Sequence, residues 1–183
     1  MNEDKYWKVI SSSDGFRGNW IDLNIDEIEL PDGKQIEFEA LHYHRAGVGV
    51  LAEDSDGKIV LVKNYRYIND YYSWEMPAGT VPPTQTHKEC IIQELKEEAG
   101  CEVENENLIY LGTYFPSIGS SDQIFHCYHA KNVRKVTDKI DTNEIIEVGW
   151  FSRNELYDLF RSGEIKDGFA FALLLKVLLS ENI

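Results

Sequence analysis

Glu94, Glu97 and Glu98 occupy positions i, i+3 and i+4 of one short run. On a helix those positions share a face, so three carboxylates converge. Like charges at this spacing cost about 0.2–0.5 kcal/mol per pair. They also fall toward the C-terminal end of the helix, where the macrodipole disfavours negative charge. Either the run is a solvated acidic face, or a positive partner sits against it. A hard divalent cation suits oxygen ligands, and Mg²⁺ typically takes one or two carboxylates while keeping several waters.

The rest of the chain sharpens that choice. Its 183 residues carry 32 Asp and Glu against 18 Lys and Arg, a formal net charge of −14. A surface this acidic repels nucleic acid and anionic membranes, and no basic run offsets it, so neither is expected as a partner. It would also repel a small anionic substrate unless a bound cation reversed the field locally. Cys90, Cys101 and Cys127 are odd in number and lack metal-type spacing, so they read as free thiols in a reducing compartment. Residues 1–8 are polar, without the apolar core of a signal peptide. The longest apolar stretch, Phe169 to Leu179, contains Lys176 and is well short of the roughly 20 residues a membrane span needs. A cytoplasmic protein is expected.

The elements that must position the carboxylates can be read in outline. Ile21 to Leu30 and Gln35 to Leu41 read as two strands, joined by the turn sequence Pro31 to Lys34. Gly47 to Ala52 and Lys58 to Lys63 form a second pair around Asp54 to Gly57. The continuous run Ile59 to Val62 fits a strand covered on both faces. A helix is expected from His87 to Ala99, with Thr86 and Glu89 forming a capping box and Gly100 as its stop. Strands recur near Leu108 to Phe115, Gln123 to Ala130 and Ile145 to Phe151. Ser152 with Glu155 opens a helix through Arg161, and a last apolar helix runs from Phe169 to Leu179. This alternation predicts an α/β (α+β) fold: a mixed β-sheet sandwiched between helices, with an N-terminal β-hairpin region. The expected division is residues 1–41 for the hairpin region and 42–183 for the main domain.

The segment from Gly79 to Cys101 resembles the Nudix box, whose pattern is G-x5-E-x7-R-E-U-x-E-E-x-G-U with U apolar. Gly79, Glu94, Leu95, Glu97, Glu98, Gly100 and Cys101 fall in register. Gln85 and Gln93 depart from the pattern's Glu and Arg. Losing both charges together is coherent, because one Gln can hydrogen-bond the other. Asn64 to Arg66, Trp74 to Gly79, Pro116 to Asp122, Glu144 to Val148 and Gly163 to Asp167 resemble segments of ADP-ribose pyrophosphatases and related nucleoside-diphosphate-sugar hydrolases. Pro116 stands 16 residues after Gly100, a spacing that in this subfamily goes with ADP-ribose.

The resemblance implies a Nudix fold and a metal-dependent diphosphatase acting on ADP-ribose or a similar nucleotide sugar, with a GDP-mannose-type substrate or a low-activity sensor as alternatives. It implies Mg²⁺, or Mn²⁺ in its place, held by Glu94, Glu98 and Glu97 with the carbonyl of Ala78. Glu144 is the implied general base, with Glu147 as runner-up, and Glu97 is expected to assist catalysis. Arg66 and Arg45 are the candidate phosphate or ribose clamps. Glu75 and Ser121 lie in the matching substrate-binding segments, and Trp20 and Phe38 are aromatic faces available to a base. A homodimer is implied, its N-terminal strands packing across the partner.

Overall fold

The computed structural model describes residues 6–180, with side chains through residue 177. Residues 1–5, part of the polar start of the chain, lie outside the described residues. The chain divides into two compact units. One comprises Met1–Ala46 and Ser117–Gln123, the other Gly47–Pro116 and Ile124–Ile183.

In the first unit, β1 (Lys8–Arg17), β2 (Ile21–Glu29) and β3 (Gln35–Tyr43) form an antiparallel sheet in the order β1-β2-β3. The predicted hairpin is β2–β3, with its turn closed at Gly33 (φ 82°). β1 was not predicted. Its sequence is serine-rich, and every one of its residues is exposed, so no buried face imposes an alternation to read. The segment Ser117–Gln123, expected within the main domain, groups with this unit. Asp122 explains why: its carboxylate accepts from the Tyr43 N–H at 2.8 Å and pairs with the His42 ring at 2.9 Å.

The second unit is built on a mixed sheet. β4 (Gly47–Glu53) and β5 (Ile59–Arg66) are followed by β6 (Tyr71–Glu75), β7 (Ala78–Thr80), α1 (His87–Ala99) and β8 (Cys101–Glu102). Then come β9 (Leu108–Tyr114), β10 (Phe125–Ala130), β11 (Arg134–Lys135), β12 (Ile145–Phe151), α2 (Arg153–Ser162) and α3 (Gly168–Ser180). The main strand order is β12-β5-β4-β10-β9, with β4 and β10 parallel and the other pairs antiparallel. Val48, Val50, Val60 and Val62 pack with Ile91 and Leu95 of α1 on one face. Leu51, Ile59 and Leu61 pack with Leu156 of α2 and with Phe169 and Leu173 of α3 on the other. The sheet is sandwiched between helices, as its two-sided apolar runs required.

One departure from a simple meander positions the site. β4 and β5 pair only beside their turn, at Ala52↔Val60 and Glu53↔Ile59. Beyond that they diverge. β6 continues along β5, while β7 lines the edge of β4, with Gly49 opposite Ala78 and Val48 opposite Gly79. Val50 N–H donates to the carbonyl of Pro77 at 3.0 Å and fixes the crossing. Both short strands were missed in the sequence, because three-to-five-residue strands carry too little periodicity.

The three cysteines are free and buried. Among the described residues, no helix is long and apolar enough to cross a membrane.

Candidate active site

Helix α1 is fixed at both ends as its sequence requires. The Thr86 hydroxyl accepts from the Glu89 N–H, Glu89 returns a bond to the Thr86 N–H, and Gly100 caps the C-terminus at φ 66°. With Ile91 and Leu95 buried against the sheet, Glu94 and Glu98 are directed at β7. Glu98 is 6% exposed, and its carboxylate accepts from the Ala78 N–H at 2.9 Å. The Glu94 carboxylate lies over Gly79, where a Cβ would stand 2.0 Å from its Oε1. Glu97 is exposed and accepts from the Gln93 amide at 2.8 Å. Gln93 in turn accepts from Gln85 at 2.7 Å. The two departures from the box pattern thus bond each other, and they hold the third glutamate.

Charge is concentrated here. Burial, with the negative charges of Glu97 and Glu144 behind it, pushes Glu94 up to about 7. Burial pushes Glu98 up to about 8 against the opposing Ala78 hydrogen bond, and Glu94 and Glu144 raise it further. Glu144 precedes β12 and is exposed, and its charge reaches both helix carboxylates. Glu147 lies beside Lys63, 3.9 Å away, and acts on neither. The two acids stand in different local structure: Glu144 in the turn before β12, Glu147 within the strand and past a register shift.

Among the described residues, no group of three or more His, Cys, Asp or Glu side chains is gathered closely enough to ligate one ion as placed. The donor chemistry fits a cation that uses few protein ligands. Glu98 is a buried carboxylate with a single amide partner, and a second carboxylate adds to its cost. Two carboxylates plus waters suit Mg²⁺ or Mn²⁺. Ala78 contributes its N–H to Glu98.

Arg66, at the end of β5, forms a forked ion pair with Glu75 of β6. Its Nε lies 2.9 Å from Oε1, and an Nη bonds Oε2. Glu75 is 5% exposed, and the Arg66 charge also reaches Glu98 and Asp167. Asn64, buried at 6%, lies between this pair and Glu144. With its amide turned to the orientation that satisfies both ends, the nitrogen donates to the Glu144 carbonyl at 3.1 Å and the oxygen accepts from Arg66 at 3.3 Å. Asn64 was not singled out as a site residue. The signal was there, since Asn64 lies two residues past Val62, on the same strand face, and a polar side chain buried there must find partners.

Ser121 and Arg45 belong to the first unit. The Ser121 hydroxyl donates to the Ser117 carbonyl at 3.2 Å, and Arg45 lies 5.6 Å over the Trp20 ring. Phe38 packs edge-on against Trp7, with centroids 5.9 Å apart.

The NUDIX domain family matches residues 43–171, which is most of the chain. The chain belongs to the Nudix family. The nucleoside diphosphate sugar hydrolase N-terminal domain matches residues 7–39. An ADP-ribose pyrophosphatase of Bacillus subtilis (strain 168) is 30% identical over 162 residues, covering 87% of this chain and 86% of that protein. An ADP-ribose pyrophosphatase of Mycobacterium tuberculosis is 29% identical over 179 residues, covering 93% and 83%. A solved structure described as an ADP compounds hydrolase superimposes with a TM-score of 0.82 at 16% identity, covering 94% of this chain and 92% of that one. The fold is therefore the Nudix fold, and the chain is a Nudix hydrolase acting on phosphoric anhydrides. Hydrolases of this family generally use divalent metals.

Proposed function

We propose that this Nudix hydrolase cleaves the diphosphate linkage of ADP-ribose or a related nucleoside diphosphate sugar, releasing a nucleoside monophosphate and a sugar phosphate. The observation that carries the reading is the pair Glu94 and Glu98, held against the Ala78–Gly79 backbone with the charge of Glu144 directed at both.

Glu94 and Glu98 would hold Mg²⁺ or Mn²⁺, with Glu97 and the Ala78 carbonyl completing the set. The ion, when bound, neutralises and orients the diphosphate and makes water more acidic. Glu144 accepts the proton of the attacking water, whose oxygen bonds to phosphorus as the bridging P–O bond breaks. Asn64 holds the Glu144 carbonyl and so places that base relative to the cluster. Glu75 presents the Arg66 guanidinium in one orientation, leaving its remaining N–H edge for a phosphate oxygen.

The protein acts as a homodimer in this reading. Val9, Ile10, Phe16 and Trp20 of the N-terminal unit are all about half exposed or more, an apolar surface that a second copy would cover. Trp20 and Phe38 are the base-binding candidates there, with Arg45 and Ser121 as polar contacts.

The neutral Gln85–Gln93 pair favours the alternative of a binding module with little turnover, because it braces the loop without charge. One assay separates the two. AMP formation from ADP-ribose, within a panel including GDP-mannose, is measured with added Mg²⁺ and with chelator. Metal-dependent cleavage supports the enzyme; tight binding of the panel without cleavage supports the module.

A further inference from the structure

Lined in part by the Arg66–Glu75 pair is a cavity of about 450 Å³, walled by the β5–β6 hairpin and the start of α3. Lys166 and Asp167 form one wall. Asp167 is committed to α3, accepting from the Ala170 N–H at 2.8 Å. Arg66 is committed to Glu75. Lys166 is not: its ammonium stands 3.8 Å over the Tyr71 ring, and no carboxylate among the described residues pairs with it. Its backbone is pinned by Ser73, whose hydroxyl accepts the Lys166 N–H at 3.4 Å. Tyr71 is itself anchored, its hydroxyl donating to the Gly163 carbonyl.

From this we infer that the cavity is the subsite for the sugar-phosphate half of the substrate, with Lys166 as its anion-binding residue. The inference rests on the hydrolase reading above and assigns one end of that substrate. The charge on the wall selects the sugar phosphate. Lys166, with no carboxylate partner among the described residues, shares the lining with the Arg66 guanidinium, and two cations on one wall are the chemistry that recognises a phosphoryl group. Of the cavity's tyrosines, Tyr71 is engaged by the Lys166 ammonium and Tyr65 packs on Tyr72 at 5.0 Å, whereas Tyr67 is 77% exposed and leaves a ring face for the sugar. Arg66 lines this cavity, and its charge acts at Glu98, so a diphosphate over the carboxylates can extend one half past it.

The test is titration calorimetry on the full chain with ribose 5-phosphate, mannose 1-phosphate and AMP, comparing the parent with Lys166→Met, Lys166→Arg and the surface control Lys131→Met. Lys166→Met is expected to weaken binding of at least one sugar phosphate about tenfold, the scale of one charge-assisted bond. AMP binding should stay within twofold, Lys166→Arg should recover most of the loss, and Lys131→Met should match the parent. Sugar-phosphate binding indifferent to Lys166→Met overturns the assignment, as does a loss confined to AMP or a parent chain that binds neither sugar phosphate. These readouts involve no turnover. A failed cleavage assay would sink the hydrolase reading, whereas indifferent calorimetry with intact cleavage would sink only this subsite.

Discussion

The Glu94 carboxylate rests on the backbone of Gly79, so close that a Cβ there would meet Oε1 at 2.0 Å. Gly79 is therefore the floor of the carboxylate cluster. The atoms a methyl would strike are the far end of the Glu94 side chain, which can swing aside. Gly79→Ala should thus leave the fold stable to within about 1 kcal/mol while displacing a ligand. Turnover and divalent-cation affinity should fall about 10- to 100-fold, read by calorimetric metal titration beside a thermal melt. A normal metal affinity in the variant would remove Glu94 from the ligand set.

Metal removal should make stability depend on pH. Burial raises both Glu94, to about 7, and Glu98, to about 8. A carboxyl raised in the folded state binds more protons there than in the unfolded chain. Metal-free protein should lose stability as pH climbs from the ordinary carboxyl range near 4.5 through 7 to 8, and level off above. Saturating Mg²⁺ should flatten that slope, since the ion replaces the protons. Denaturant melts at pH 5, 6.5 and 8.5, with and without metal, would show it; a metal-free protein that gains stability over that interval contradicts the arrangement.

Glu144 and Glu147 should separate cleanly. Glu144→Gln removes the proposed proton acceptor and should lower kcat about 10²- to 10⁴-fold, with metal binding largely retained. Glu147→Gln loses only a long contact to Lys63 on the surface and should change kcat less than twofold. Equal effects of the two would leave the base unidentified by position.

The Gln85–Gln93–Glu97 chain predicts coupling between sites eight residues apart. Gln85→Ala and Gln93→Ala should each reduce activity several-fold, and the double variant should be no worse than the more damaging single one. A coupling energy of about 0.5–1.5 kcal/mol is expected from the double-mutant cycle. Strict additivity would mean that the amide pair does not act as a brace.

Much of this was legible along the chain because it is local. Helix α1, its capping box and its Gly100 stop depend on contacts within four or five residues, so Thr86, Glu89 and Gly100 announce them. The shared face of Glu94 and Glu98 follows from helix periodicity alone, and the two-sided burial of β5 follows from its unbroken apolar run. What the sequence left open is non-local. The divergence of β4 and β5, which admits β6 and β7 and brings Gly79 beneath Glu94, is a matter of strand pairing. So is the placing of Ser117–Gln123 beside β3. Asn64 meeting Glu144 across 80 positions, Arg66 closing on Glu75, and Lys166 standing free over Tyr71 were decided only when the sheet and helices packed. Periodicity reports which face a side chain takes; only tertiary packing reports which distant residue that face meets.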